Sequence, residues 1–167
     1  LEHFFDADSQ MFFYTHNQYA TLISRKMELS DNVIPSSNSE MAKNLFLLGH
    51  FFGNDNYIAK AKQMLLNVEA DVQRNIYFYA NWGIVQALFT APLYEVAIVG
   101  DDFKNKRQQF DEHYLPDTIL LGGKTAGKLA LLENKLIPGQ TMIYVCRDKA
   151  CELPVKEVGA ALEQIRK

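Results

Sequence analysis

Arg25, Glu28 and Asp31 lead into Ile34-Pro35-Ser36-Ser37-Asn38-Ser39-Glu40, so a guanidinium and two carboxylates precede a run of four small polar residues. Ser37 and Glu40 fit the S-x-x-E capping box, in which the serine oxygen takes an N–H three residues on and the glutamate reaches back. That pattern predicts a helix beginning near Ser37. Pro35 disfavours helical geometry at Ile34, so the chain should arrive from an extended or looped segment. The free N–H groups and dipole of a helix start favour hydroxyls and anions. Arg25, Glu28, Asp31, Ser36, Asn38 and Ser39 are therefore candidate ligand-binding residues. Arg25 would contact an anionic or hydroxylated group, the carboxylates would orient it, and the helix start would donate N–H groups. Ordinary capping beside a solvated charged rim uses the same residues, and it is the commoner origin of such a pattern.

Cys146 and Cys151 form a C-x4-C pair between a strand-like run and the final helix. A redox pair usually has the tighter C-x-x-C spacing, and structural zinc needs two further ligands that no nearby residue supplies. The favoured reading is two reduced cysteines in a turn packed beside a sheet, with thiol chemistry and metal binding as the alternatives. Gly122-Gly123-Lys124-Thr125-Ala126-Gly127-Lys128-Leu129 resembles a phosphate-binding loop until its last position. That motif needs Ser or Thr after the lysine to hold magnesium, and Leu129 stands there. No cofactor and no metal are expected.

The elements that must position these residues are legible from periodicity. The runs Met11–Thr15 and Ala20–Arg25, separated by His16-Asn17-Gln18, read as an antiparallel hairpin. A first helix over 37–52 places Met41, Leu45, Leu48 and Phe52 on one stripe, with Lys43 and His50 on the solvated side. Gly53 has the position of a C′ glycine, and Asp55 that of a cap for a second helix over 56–70. That helix carries Tyr57, Ala61, Met64, Leu65 and Val68 on one face. A third over 76–90, ended by Pro92, is apolar all round and calls for burial by neighbours.

Beyond Leu93 the pattern changes class. Glu95–Val99, Thr118–Leu121 and Thr141–Val145 are short β-rich runs, which predict a small, mostly parallel three-stranded sheet covered by helices. Helices are expected over 102–113, capped by Asp101, weakly over 127–136 before a turn at Pro138-Gly139, and after Pro154. The expected fold class is mainly α with a smaller α/β part, divided as residues 1–93 and 94–167.

Composition limits the partners. The chain has 167 residues, 48% of them hydrophobic and 22% charged, which suits one compact protein or two small modules. A net charge of -3 with no basic block disfavours nucleic acid. No apolar run approaches the roughly 20 residues that span a bilayer, so no membrane partner is expected. Two cysteines are too few for a secreted disulfide framework, which makes a reducing cytoplasm the default. The start at Leu1, with Phe4-Phe5 following at once, reads as a piece of a longer polypeptide.

Several segments together resemble one family. Phe13-Tyr14-Thr15, Leu22 to Glu28, Asp31 with Pro35 to Ser39, and Tyr144-Val145-Cys146 with Cys151 and Pro154-Val155 look like the C-terminal part of the spermatogenesis-associated, thioredoxin-domain-containing proteins. The resemblance implies the end of an (α/α)6 toroid akin to N-acylglucosamine 2-epimerases and six-hairpin glycosidases, followed by a closing α/β segment. It also implies a polar cavity for a sugar-like small molecule, no catalysis by this region alone, and the parent's N-terminal domains as partners. The rival expectation is a helical interaction or self-association module built on the apolar faces of helices one and three. A smaller alternative makes the cysteine pair a thiol redox partner.

Overall fold

In a computed structural model of the chain, residues 1–19, 23–91 and 93–165 are described. The chain divides into two compact units, Leu1–His50 with Asn54–Thr90 and Phe51–Gly53 with Ala91–Lys167. The architecture is mixed α/β with helix predominating: the described residues form five α-helices and two small sheets.

In the first unit, β1 (Phe5–Asp6) pairs antiparallel with β2 (Met11–Phe12). The Asp6 carboxylate accepts both the N–H and the hydroxyl of Ser9, at 3.0 and 2.6 Å, and so closes the turn. This differs from the expected hairpin. Ala20, Thr21 and Leu22 of its far arm lie outside the described residues, as does Pro92. Ile23, Ser24 and Arg25 form no strand, and the Tyr14 N–H donates to the Lys26 carbonyl at 2.8 Å. The upstream turn is closed locally by side-chain hydrogen bonds, those of Ser9 to Asp6.

Helix α1 spans Ser37–Phe52 and α2 spans Asp55–Arg74. Gly53 takes φ 63° and the Asn54 N–H donates to the Gly49 carbonyl at 2.8 Å, so a Schellman turn ends α1. Asn54, rather than Asp55, caps α2: its side-chain oxygen accepts the Asn56 N–H at 3.1 Å. The buried stripe of α1 is Asn38, Ala42, Leu45, Phe46 and Gly49, leaving Leu48 and Phe52 exposed. The predicted stripe is thus rotated around the axis. His50 is not on a solvated side, because it is half-buried and its ring packs on Phe46, with centroids 4.7 Å apart. Helix α2 buries Ala61, Met64, Leu65, Val68 and Val72, the face its sequence predicts.

The third helix is interrupted. Ile76–Phe78 form a 3-10 turn and α3 runs over Ala80–Thr90. Trp82 and Val85 are fully buried, while Ile76, Tyr77, Phe78 and Ile84 are exposed. Burial on all sides, as apolar surroundings suggested, does not occur: only one face of α3 meets the core.

In the second unit the strands β3 (Tyr94–Val99), β4 (Thr118–Gly123), β5 (Met142–Arg147) and β6 (Ala150–Cys151) form one sheet in the order β4-β3-β5-β6. Helix α4 (Phe103–Asp111) carries the crossover that makes β3 and β4 parallel. The other two pairings are antiparallel, so the sheet has four strands and is mostly antiparallel, against the expected three and mostly parallel. The cause lies in the connection over 124–141. Gly123 pairs with Val99 at the end of β4, and Met142 pairs with Val99 at the start of β5. The chain therefore crosses one end of the sheet without running back along it, and β5 must enter in the opposite sense.

Residues 127–136 make turns instead of the expected weak helix, with Leu131 and Leu132 buried against Ala97, Val99 and Cys146. The Tyr144 hydroxyl donates to the Lys135 carbonyl at 2.8 Å and pins this crossing. Gly100, at φ 138°, packs so closely on Gln140 and Thr141 that a Cβ has no room there. On the opposite face Val96, Ile98, Ile143 and Val145 meet Phe110 of α4 and Val158, Ala161 and Leu162 of α5 (Val158–Ile165). Val155 bridges to Ile143 before α5 begins. Asp102, not Asp101, precedes α4 and makes no side-chain capping bond.

Candidate functional site

The serine-rich turn and Asp31 converge in a buried cluster. Asp31, Ser36, Asn38 and Ser39 retain 7, 1, 0 and 1% of their exposure. Burial of that many polar groups demands internal partners, and each has them. One Asp31 carboxylate oxygen accepts the Ser36 N–H at 2.9 Å and the Ser39 hydroxyl at 3.3 Å. The other accepts the Asn81 N–H at 2.9 Å in the first turn of α3. Asp31 thus sits at the positive ends of two helices, where a carboxylate is favoured by both dipoles.

The capping register is one residue earlier than the sequence suggested. Ser36, just before α1, accepts the Ser39 N–H at 3.2 Å, and the Ser39 hydroxyl contacts Ser36 in return. Glu40 turns away to pair with Lys43 at 2.7 Å. The exposed Glu28 carboxylate accepts the Ser37 N–H at 3.2 Å, and the Glu28 carbonyl accepts the Asn38 N–H at 3.4 Å. Every N–H from Ser36 to Ser39 is therefore engaged by protein, which closes this helix start to an incoming anion.

Asn38 joins the cluster to the N-terminal hairpin. Its side-chain oxygen accepts the Phe12 N–H at 2.8 Å, and its amide donates to the carbonyls of Phe12 and Glu28 at 2.9 and 3.0 Å. The Trp82 indole donates to the Leu29 carbonyl at 2.7 Å beside it. Asn81, Trp82 and Phe12 were not singled out from sequence. They lie 26 to 53 residues from the groups they bind, beyond any local spacing signal.

Arg25 does not join the cluster. Its guanidinium donates to the carbonyls of Thr15 and His3 at 2.7 and 3.2 Å and lies 3.9 Å over the Phe13 ring. It braces the N-terminal segment, where His3 and His16 stack with centroids 4.1 Å apart. Desolvation holds the His16 imidazole below its ordinary value, and the nearby His3 and Arg25 charges act in the same direction. The Glu28 carboxylate near the turn is exposed, whereas the Ser37 hydroxyl oxygen is buried without a partner.

Cys146 and Cys151 are direct cross-strand partners in β5 and β6, and they are joined as a disulfide. This corrects the reading of two reduced thiols: the register places both side chains on the same side of the two-strand ribbon. The turn between them carries Asp148 and Lys149 at φ 51° and 66°, the left-handed pair of a tight hairpin turn. A cavity of about 570 Å³ lies against the disulfide, bordered by Tyr94, Val145, Arg147 and Gln164. Gln164 donates to the Leu153 carbonyl at 2.9 Å, while its side-chain oxygen is buried without a partner.

No helix follows the loop at Gly122 to Leu129, so that segment has neither the sequence nor the geometry of a phosphate cradle. Among the described residues, no three His, Cys, Asp or Glu side chains group as metal ligands would. No described helix is long and apolar enough to cross a membrane. Comparison of the chain with models of known families, with curated proteins and with solved structures returns no match.

Proposed function

We propose that this chain is the C-terminal part of a cytoplasmic, thioredoxin-domain-containing protein with an epimerase- or glycosidase-like helical toroid, where it forms a non-catalytic wall of a polar, carbohydrate-type cavity. The observation that supports a wall over a catalytic centre is the closure of the Asp31 cluster, which spends its hydrogen bonds on holding α1, α3 and β2. In this reading Asp31, Ser36, Asn38 and Ser39 shape the wall. A hydroxylated ligand meets it through the exposed Glu28 carboxylate, and Arg25 fixes the rim. Titration of the parent protein with sugars and sugar phosphates tests this. Weakened binding in Glu28→Gln at unchanged thermal stability is expected; unchanged affinity would overturn the cavity.

A second reading, a helical interaction or self-association module, draws on Ile76, Tyr77, Phe78 and Ile84, which stand exposed at and beside α3. Light scattering separates the two. A monomer with no affinity for the parent's remaining domains removes the interaction module.

A further inference from the structure

We infer that the cavity of about 570 Å³ beside β5 and β6 binds a zwitterionic α-amino acid, with Arg147 receiving its carboxylate and Glu152 its ammonium group. Strand register puts both charges on one face. Val145 packs toward Val158 and Leu162 of α5, and Arg147, two residues on, shares its side of β5. Ala150 stands opposite Arg147, and the Glu152 N–H donates to the Val145 carbonyl at 2.9 Å, so Glu152 falls opposite Val145 on that same face. Arg147 and Glu152 are thus diagonal neighbours across the ribbon, with Cβ atoms roughly 7 Å apart.

Two long side chains of opposite charge are within reach of one another at that spacing, yet these two do not pair. Among the described residues the Glu152 carboxylate has neither an ion pair nor a hydrogen bond. The Arg147 guanidinium reaches only the exposed Asp148 carboxylate, at 3.7 Å, and lies 6.0 Å over the Tyr94 ring. An α-amino acid fits between them. Its carboxylate and ammonium are attached to one carbon, so a single molecule satisfies both side chains, each through charge-assisted hydrogen bonds. Tyr94, Val145 and Ala150 floor the cavity beneath an aliphatic side chain. Gln164 of α5 makes a wall, with its amide spent on the Leu153 carbonyl at 2.9 Å.

The disulfide acts on this site from behind. Cys146 lies on the other face, against Ala97 and Val99, and its bond to Cys151 locks the register that spaces Arg147 from Glu152. The bridge between Ile143 and Val155 holds the chain to β5 again beyond Glu152. The backbone positions of the two charges are therefore set before a ligand arrives, which lowers the ordering cost of binding.

Titration of the intact chain with L-leucine, followed by amide NMR, tests the proposal. Saturable shifts are expected at Val145, Arg147 and Glu152. Isocaproate, which lacks the ammonium group, and isoamylamine, which lacks the carboxylate, should each bind about tenfold more weakly than leucine. Arg147→Gln and Glu152→Gln should each weaken leucine binding by about tenfold. Both side chains are exposed, so neither change disturbs the core. Leucine shifts that do not saturate, equal binding of isocaproate or isoamylamine, or unchanged affinity in either variant would overturn it. The comparison of the three ligands is made on the unmutated chain, so it stands whatever the variants do.

Discussion

Asp31 accepts the backbone N–H of Asn81 across 50 residues of chain, at 2.9 Å, with the carboxylate that also receives Ser36. One side chain thereby starts two helices. Asp31→Ala removes both caps and leaves buried donors unpaired, with an expected loss of about 3 kcal/mol. Asp31→Asn keeps one acceptor and should lose less. Urea unfolding followed by circular dichroism checks the order; equal stability in all three proteins would refute the double cap.

Asn38→Ala should cost about 3 kcal/mol, because it abandons the Phe12 N–H and carbonyl in a fully buried position. Asn38→Asp should also destabilise, since a carboxylate cannot donate to the Phe12 and Glu28 carbonyls. Unfolding midpoints of the two variants measure this, and a neutral Asn38→Asp would contradict the assigned amide orientation.

Gly49 lies where α1 meets α2, and a methyl group there would overlap Ile58. Gly49→Ala should destabilise by about 2 kcal/mol despite the better helix propensity of alanine. Pairing it with Ile58→Ala, which removes the overlapping Cγ1, should relieve the overlap, and a double-mutant cycle reads that coupling directly.

The pH response of the N-terminal segment follows from His16. Its folded-state value lies below the ordinary 6.5, so the neutral ring stabilises the fold above that pH. This contribution fades as pH falls from 6.5 toward the depressed folded value, as protonated His16 meets His3 and Arg25. Ring-proton NMR should show His16 titrating below a free histidine, and His16→Gln should flatten the acid limb of stability. An ordinary His16 titration would refute the packing.

The helices were readable because their signals are local. Gly53, the apolar face of α2 and the serine-rich start each act within one or two turns. The capping register was not, since Ser36 and Ser37 are equivalent in a local pattern and Asp31 chooses between them by binding the Ser36 N–H. The polar candidates Asp31, Ser36, Asn38 and Ser39 do come together, but spacing could not reveal that Phe12 and Asn81 would occupy their donors and acceptors. Arg25 went elsewhere because carbonyls of Thr15 and His3 compete for it. Strand direction was equally hidden. The runs at β3, β4 and β5 are apolar in the same way, and only the path over 124–141 decides which pair is antiparallel.

That path also sets an order of events during synthesis. Strand β5, one of the two inner strands, is the third of this sheet's four to be made, so β3 can pair on one flank only until Met142–Arg147 has left the ribosome. A nascent chain halted before that point presents Ala97 and Val99 beside an open row of backbone donors and acceptors. Such an intermediate is a ready template for the wrong partner, and the final quarter of the chain is what retires it.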